Sequence, residues 1–187
     1  MTLTSFCIGA TEVTQELWNA VMDSNPSCFD GDKLPVERVS WNDCQIFIEK
    51  LNALTGKNFR LPTEAEWEFA ARGGNLSKGY KYSGSNELFD VAWYDDDSFD
   101  TTHEVATKQA NELGLYDMNG NVWEWCQDWY GPYGAKPQYD PVGPTTGLYR
   151  VFRGGAWGSS ENGCRLTYRN DDDPGFVYNA LGFRLAL

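Results

Sequence analysis

Near residue 75 the chain changes texture, and that break limits what it can fold into more than any other feature. Before it, helix signals are sharply punctuated. Thr14 stands where an N-cap belongs, ahead of a short helix with Leu17, Trp18, Val21 and Met22 on one side. Ser40-x-x-Asp43 resembles a capping box, and Cys44, Phe47, Ile48 and Leu51 follow at helical spacing. Gly56 ends that helix as a left-handed residue would. Pro62-Thr63 opens a third helix, with Glu66 completing a second box and Trp67, Phe69 and Ala70 behind it; Arg72-Gly73-Gly74 stops it.

Beyond residue 75, Gly, Asn, Asp and aromatics dominate, and no window supports a long amphipathic helix. Short strands are predicted at 115–116, 122–125, 149–153 and 183–187, paired antiparallel. Asp95-Asp96-Asp97 reads as a solvated loop. Few helices followed by a loop-rich, strand-poor remainder define an irregular α+β fold, one domain over residues 1–187. Eight Trp, 10 Tyr and 10 Phe in 187 residues exclude a disordered chain. No apolar run is long enough to span a membrane. A net charge of −12 argues against a nucleic-acid partner, which needs clustered Lys and Arg. Five cysteines without a CxxC indicate neither a zinc site nor a redox motif. Cys44 reads as a buried thiol, and a Cys126–Cys164 pairing stays open. The start, MTLTSFCIGATEVT, has no basic and apolar leader, so no signal peptide is expected.

Four blocks, RLPTEAEWEFAARGG (60–74), NELGLYDMNGNVWEWCQDWYG (111–131), RVFRGGAW (150–157) and LGFRLAL (181–187), resemble the formylglycine-generating enzyme, or sulfatase-modifying factor, superfamily. They occur in family order. The resemblance implies a C-type lectin-like fold of that enzyme's variety, with few helices, short strands and many loops. It does not by itself imply the oxidase activity, because one fold hosts many functions. Active members carry a Cys-x4-Cys pair after the Gly-Gly block that binds copper(I) through two thiolates. Here Gly154-Gly155-Ala156-Trp157 is followed by Ser159 and a lone Cys164, so no copper is expected. His103 is the only histidine, which excludes a multi-histidine iron centre; it reads as a surface residue of a turn. Glu64, Glu66 and Glu68 read as structural carboxylates. Residues 117–124 resemble a family calcium site formed by Asp117, the carbonyls of Gly120 and Val122, and Glu124; the alternative is a tight Asn119-Gly120 turn. Such an ion would hold a loop rather than perform chemistry.

The frame RGGAW … CR … R … P … LGFRLAL resembles the variable region of proteins diversified by retroelements, at about 156–181. In that family adenines of a template copy are rewritten, so asparagine codons become many others but never Lys, Glu, Gln, Met or Trp codons. Those five types fill 35 of the 187 positions, yet 158–181 holds one, Glu161. The expected binding residues are Trp157, Gly158, Ser159, Ser160, Asn162, Gly163, Tyr168, Asn170, Asp171, Asp172, Phe176, Tyr178 and Asn179, the small-polar and aromatic mixture of adaptable binding surfaces. Arg165, Arg169, Pro174 and Gly182-Phe183-Arg184 would be fixed scaffold. The expectation is a non-enzymatic protein that binds a protein or other cell-surface ligand, located at the cell surface, secreted or on a phage particle. The alternatives are an inactive or altered oxidase relative, and a structural module of a larger protein.

Overall fold

Local capping chemistry builds the three N-terminal helices where they are predicted. The computed structural model describes all residues 1–187. Helix α1 spans Gln15–Asn19 with the Thr14 hydroxyl accepting the Leu17 N–H. Helix α2, Trp41–Thr55, has a complete Ser40/Asp43 capping box and ends on left-handed Gly56. Helix α3, Glu64–Ala71, is boxed by Thr63 and Glu66. A short α4 follows at Leu88–Val91. The predicted α2 stripe of Cys44, Phe47, Ile48 and Leu51 is buried, and Phe47 stacks on Trp18 with centroids 5.2 Å apart. In α1 only Trp18 of the expected apolar side is fully buried; Leu17 faces solvent.

Four strands form one sheet: β1 Trp123–Trp129, β2 Arg150–Arg153, β3 Arg169–Asp172 and β4 Leu181–Gly182, in the order β3-β2-β1-β4. β2 is antiparallel to both β1 and β3, whereas β4 runs parallel to β1, against the antiparallel expectation. Leu115–Tyr116 is irregular, and β3, an Arg-Asn-Asp-Asp strand, was not predicted. Residues 183–187 continue from β4 as extended chain and close the molecule on its N-terminal segment. The Val13, Gly9 and Cys7 N–H groups donate to the carbonyls of Phe183, Leu185 and Leu187.

The sheet has two differently covered faces. Trp123, Trp125, Phe152 and Leu181 share the main core with α2 and Phe183. On the other face Cys126 and Val151 pack with Trp67, Ala70 and Ala71 of α3. Cys44, Cys126 and Cys164 are buried free thiols, the latter two in different apolar clusters. Asp97, expected in a solvated run, pairs with Lys108 at 2.6 Å with both side chains mostly covered. His103 is half-buried, stacked on Trp93 at 3.8 Å.

Candidate functional site

β3 gives the candidate surface its geometry. It lies in unbroken register on β2, pairing Asn170 with Phe152 and Asp172 with Arg150. Its first residue, Arg169, donates from Nε to Glu64 Oε1 at 2.8 Å and from Nη2 to Oε2 at 2.6 Å. The guanidinium also lies over the rings of Tyr130 and Tyr133, at 4.4 and 4.3 Å. A planar fork held this way fixes the strand's start. The side chains that follow are partly open to solvent on a fixed backbone.

Beside β3 is a depression of about 200 Å³. Trp123, Phe152 and Leu181 line it, with Asn170, Asp171, Asp172, Phe176 and Tyr178 around them. Phe176 and Tyr178 are 36% and 48% exposed, with centroids 6.3 Å apart and rings 30° from parallel. Tyr168, 44% exposed, tilts over Trp123 at 5.8 Å. Across residues 158–181 only Cys164, Leu166, Ala180 and Leu181 are buried. Large aromatics at a surface cost hydration unless a partner covers them. The acidic residues are free to meet one too, since no Lys or Arg forms an ion pair with Asp171 or Asp172; burial raises the Asp171 carboxyl above its ordinary range.

Eleven of the thirteen expected binding residues fall into two groups, and Trp157 and Asn179 connect them. Asn170, Asp171, Asp172, Phe176 and Tyr178 line the depression, and Tyr168 packs beside them on Trp123. Gly158, Ser159, Ser160, Asn162 and Gly163 form a separate turn, where the Ser159 hydroxyl accepts the Ala156 N–H and the Ser160 carbonyl accepts that of Gly163. Glu161 is tied there by Lys81 and by the Tyr82 hydroxyl, each at 2.6 Å. Trp157 joins the roots of both groups, its Nε1–H donating to the Asn179 carbonyl at 3.1 Å. It is half-buried against Phe29 rather than presented as a contact residue.

At the position where the oxidase has its copper pair, the thiol and hydroxyl are both spent on structure. Cys164 is fully buried, and burial pushes its thiol up to about 12, so it stays protonated at neutral pH. Ser159 offers a hydroxyl oxygen, a poor ligand for a soft cation. Left-handed Gly155 brings its backbone so close that an added Cβ would lie 2.8 Å from Cys164 Sγ.

The expected calcium set does not fit an ion in this arrangement. Glu124 is fully buried and accepts three bonds: Arg184 Nε at 2.6 Å, Arg184 Nη2 at 2.7 Å and Trp67 Nε1 at 2.7 Å. Both oxygens of Glu124 are engaged by these donors, and Arg184 supplies the positive charge that a cation would bring. Asp117, at a left-handed φ of 61°, accepts the Ala106 N–H on Oδ2 and leaves buried Oδ1 without a donor. Val122 and Asn121 donate to Glu12 Oε1 and Oε2. Gly120 is pressed against Trp93, and an added Cβ would collide with the Trp93 carbonyl. Glu12, absent from the sequence reading, is thus a third buried carboxylate around one guanidinium. Burial, then Asp117 and Glu124, raise Glu12 well above its ordinary range, and burial brings Asp117 up to about 6. Chelating calcium should therefore leave the melting temperature unchanged; a fall on chelation would show that an ion displaces the arginine.

A curled four-stranded sheet, few capped helices and long ordered loops define the class: the chain belongs to the sulfatase-modifying factor enzyme 1-like domain family, which it matches over residues 1–187. Among solved structures, Treponema denticola variable protein 1 superposes with a TM-score of 0.92 at 38% identity, covering 98% of this chain and 84% of that one. The chaperone protein LppX of Paenibacillus barcinonensis is 36% identical over 236 residues, covering 97% of this chain and 78% of LppX. The formylglycine-generating enzyme of Streptomyces coelicolor is 39% identical over 171 residues, covering 81% of this chain. This chain spans 52% of that enzyme's length. The C-type lectin-like fold of the formylglycine-generating enzyme variety is thereby established. No helix is long and apolar enough to cross a membrane.

Proposed function

We propose that the chain is a non-enzymatic ligand-binding protein whose contact surface, residues 158–181, is diversified by a retroelement. The observation that carries this reading is the contrast along β3 and its neighbours. The backbone is locked by the β2 ladder and by Arg169–Glu64, while Tyr168, Phe176 and Tyr178 stand exposed around an apolar floor. A few such aromatics supply most of the affinity of an interface. The unpaired Asp171 and Asp172 set the complement, an apolar patch flanked by basic groups on a protein or other cell-surface ligand, and the chain itself would be at the cell surface, secreted or on a phage particle. The likeness to Treponema denticola variable protein 1 supports this reading, and the Ser159–Cys164 arrangement opposes copper oxidation of a cysteine peptide. Turnover of such a peptide would overturn it.

Changing Asn162, Tyr168, Asp171, Phe176 and Tyr178 together, with Ser159→Thr to keep the hydroxyl that accepts the Ala156 N–H, should alter ligand preference while stability moves little. Surface substitutions away from packing stay within about 0.5 kcal/mol each. A cooperative loss of structure in this sixfold variant would sink the proposal. A near-copy of codons 158–181 beside the gene, differing almost only at adenines, would identify the retroelement.

A second reading, a recognition module inside a longer protein, is favoured by one observation. The chain is 42% identical to a stretch of the Chlamydia pneumoniae serine/threonine-protein kinase Pkn1 while spanning only 24% of it. The same surface would then serve the larger protein.

A further inference from the structure

The connection between β1 and β2 folds back over the end of β1 and the start of α3. It encloses a second cavity, of about 740 Å³, which shares no lining residue with the aromatic depression. A volume of that order suits a small organic ligand. Four carboxylate side chains line it: Glu64, Glu68, Asp128 and Asp140. Glu64 is neutralised by Arg153 and Arg169, and Glu68 by Arg153 and Arg72. Asp140 is exposed and accepts the Thr4 N–H.

Asp128 differs from all three. It is 5% exposed, and its Oδ2 accepts the Glu64 N–H at 2.8 Å. No donor reaches Oδ1, on the cavity that Asp128 lines. Left-handed Gly143 lets the covering loop approach so closely that an added Cβ would lie 3.1 Å from Oδ1. Oδ1 is not closed off from the cavity, so an entering donor can reach it without displacing a partner, although the carboxyl as a whole is largely desolvated. Consistent with that, burial pushes the Asp128 carboxyl up to about 6. Among its polar and glycine lining residues the cavity also presents apolar surface from Trp129, Pro132, Tyr133, Tyr139 and Pro144.

We propose that this cavity binds an alkyl ammonium group, with Asp128 Oδ1 accepting an N–H and Trp129, Tyr133 and Tyr139 packing on the methylene stem. A single free oxygen suits a point-charge donor. A guanidinium fork wants two oxygens, and a hard divalent cation such as calcium wants six or more. Apolar walls select an amine with a hydrocarbon stem over a small hydrated ion. Lys136, which also lines the cavity and forms no ion pair, is the internal competitor. The same chemistry is presented by a free diamine and by a lysine side chain of a peptide.

Calorimetric titration of the full chain with 1,5-diaminopentane, with Nα-acetyl-lysine methylamide and with 1-pentanol tests the proposal. An amine should bind and the alcohol should not. Tighter diamine binding identifies free amines as the ligands, and tighter binding of the lysine derivative identifies a peptide. Asp128→Asn keeps an oxygen for the Glu64 N–H and should weaken amine binding about tenfold or more, the scale of a lost charge-assisted hydrogen bond. Lys136→Met should strengthen it. The proposal fails if neither amine binds, if pentanol matches them, or if folded Asp128→Asn binds as the parent does. Should that variant unfold, Lys136→Met and Tyr139→Ala decide, and unchanged affinity in both rejects the site.

Discussion

Replacing Arg184 with Met is expected to lower stability by about 3–5 kcal/mol, the usual result of stranding one partner of a buried ion pair. In a domain of this size each kcal/mol moves the melting temperature by about 2–4 °C, so the loss should read as roughly 6–20 °C. Arg184 is fully buried and spends its donors on Glu124, on the Gly9 carbonyl at 2.9 Å and on the Tyr116 carbonyl at 2.8 Å. It therefore joins the C-terminal segment, β1, the N-terminal segment and the loop before β1. Its removal leaves Glu124, Glu12 and Asp117 without a compensating charge. Arg184→Lys should recover only part of the loss, because an ammonium cannot reproduce the fork. The double variant Arg184→Met, Glu124→Gln should be more stable than Arg184→Met alone, since it also removes the stranded charge.

The sign of the pH response provides an independent check. The folded-state carboxyl values of Glu12 and Asp117 are raised, so folding favours their protonated forms. Their contribution is full below the ordinary carboxylate range and is lost as pH rises through the raised values. Without Arg184 the carboxylates should be raised further. The deficit of Arg184→Met should thus shrink as pH falls from 7 toward 5. A deficit that grows on acidification would mean that the stranded carboxyl groups do not set the cost of losing Arg184.

The three N-terminal helices were legible because their signals are local, whereas the short α4, which has no side-chain cap, was not. The Ser40/Asp43 and Thr63/Glu66 boxes each lie within four residues, and both close as hydrogen-bonded caps. The motif blocks likewise led to the family, because they preserve the order of its core elements. β3 was not legible, since Arg-Asn-Asp-Asp has no intrinsic strand preference and is extended by its ladder to β2. The parallel β1–β4 pairing was missed for a related reason: it depends on a chain return of more than fifty residues. Arg184 could have been flagged from its apolar neighbours in LGFRLAL, since a charge in such a strand requires a buried partner. Nothing local says that the partner is Glu124, or that Glu12 joins them. That pairing is what turns the expected calcium ligands into an internally neutralised cluster.

Trp123 is where the fold and the candidate site meet, and its truncation separates the two roles. The side chain is 8% exposed, meets Phe152 edge-on at 5.5 Å, and lies beneath Tyr168. Trp123→Ala removes a core indole and should cost about 3–5 kcal/mol. The half-buried Trp157 should cost less when truncated, because less of its surface leaves water on folding. The Trp123 change also deepens the depression, leaving an apolar cavity walled by Phe152 and Leu181. Such engineered cavities accept small apolar guests. Millimolar indole should therefore raise the melting temperature of Trp123→Ala but not of the parent, because a guest bound only by the folded form stabilises it. Ligand binding should fall in the same variant, even at temperatures where it remains folded, because Tyr168 loses the surface beneath it. A variant that keeps its stability would show that Trp123 is not part of the core. A variant that loses stability yet binds as before would place the contact surface away from β3 and its aromatic neighbours.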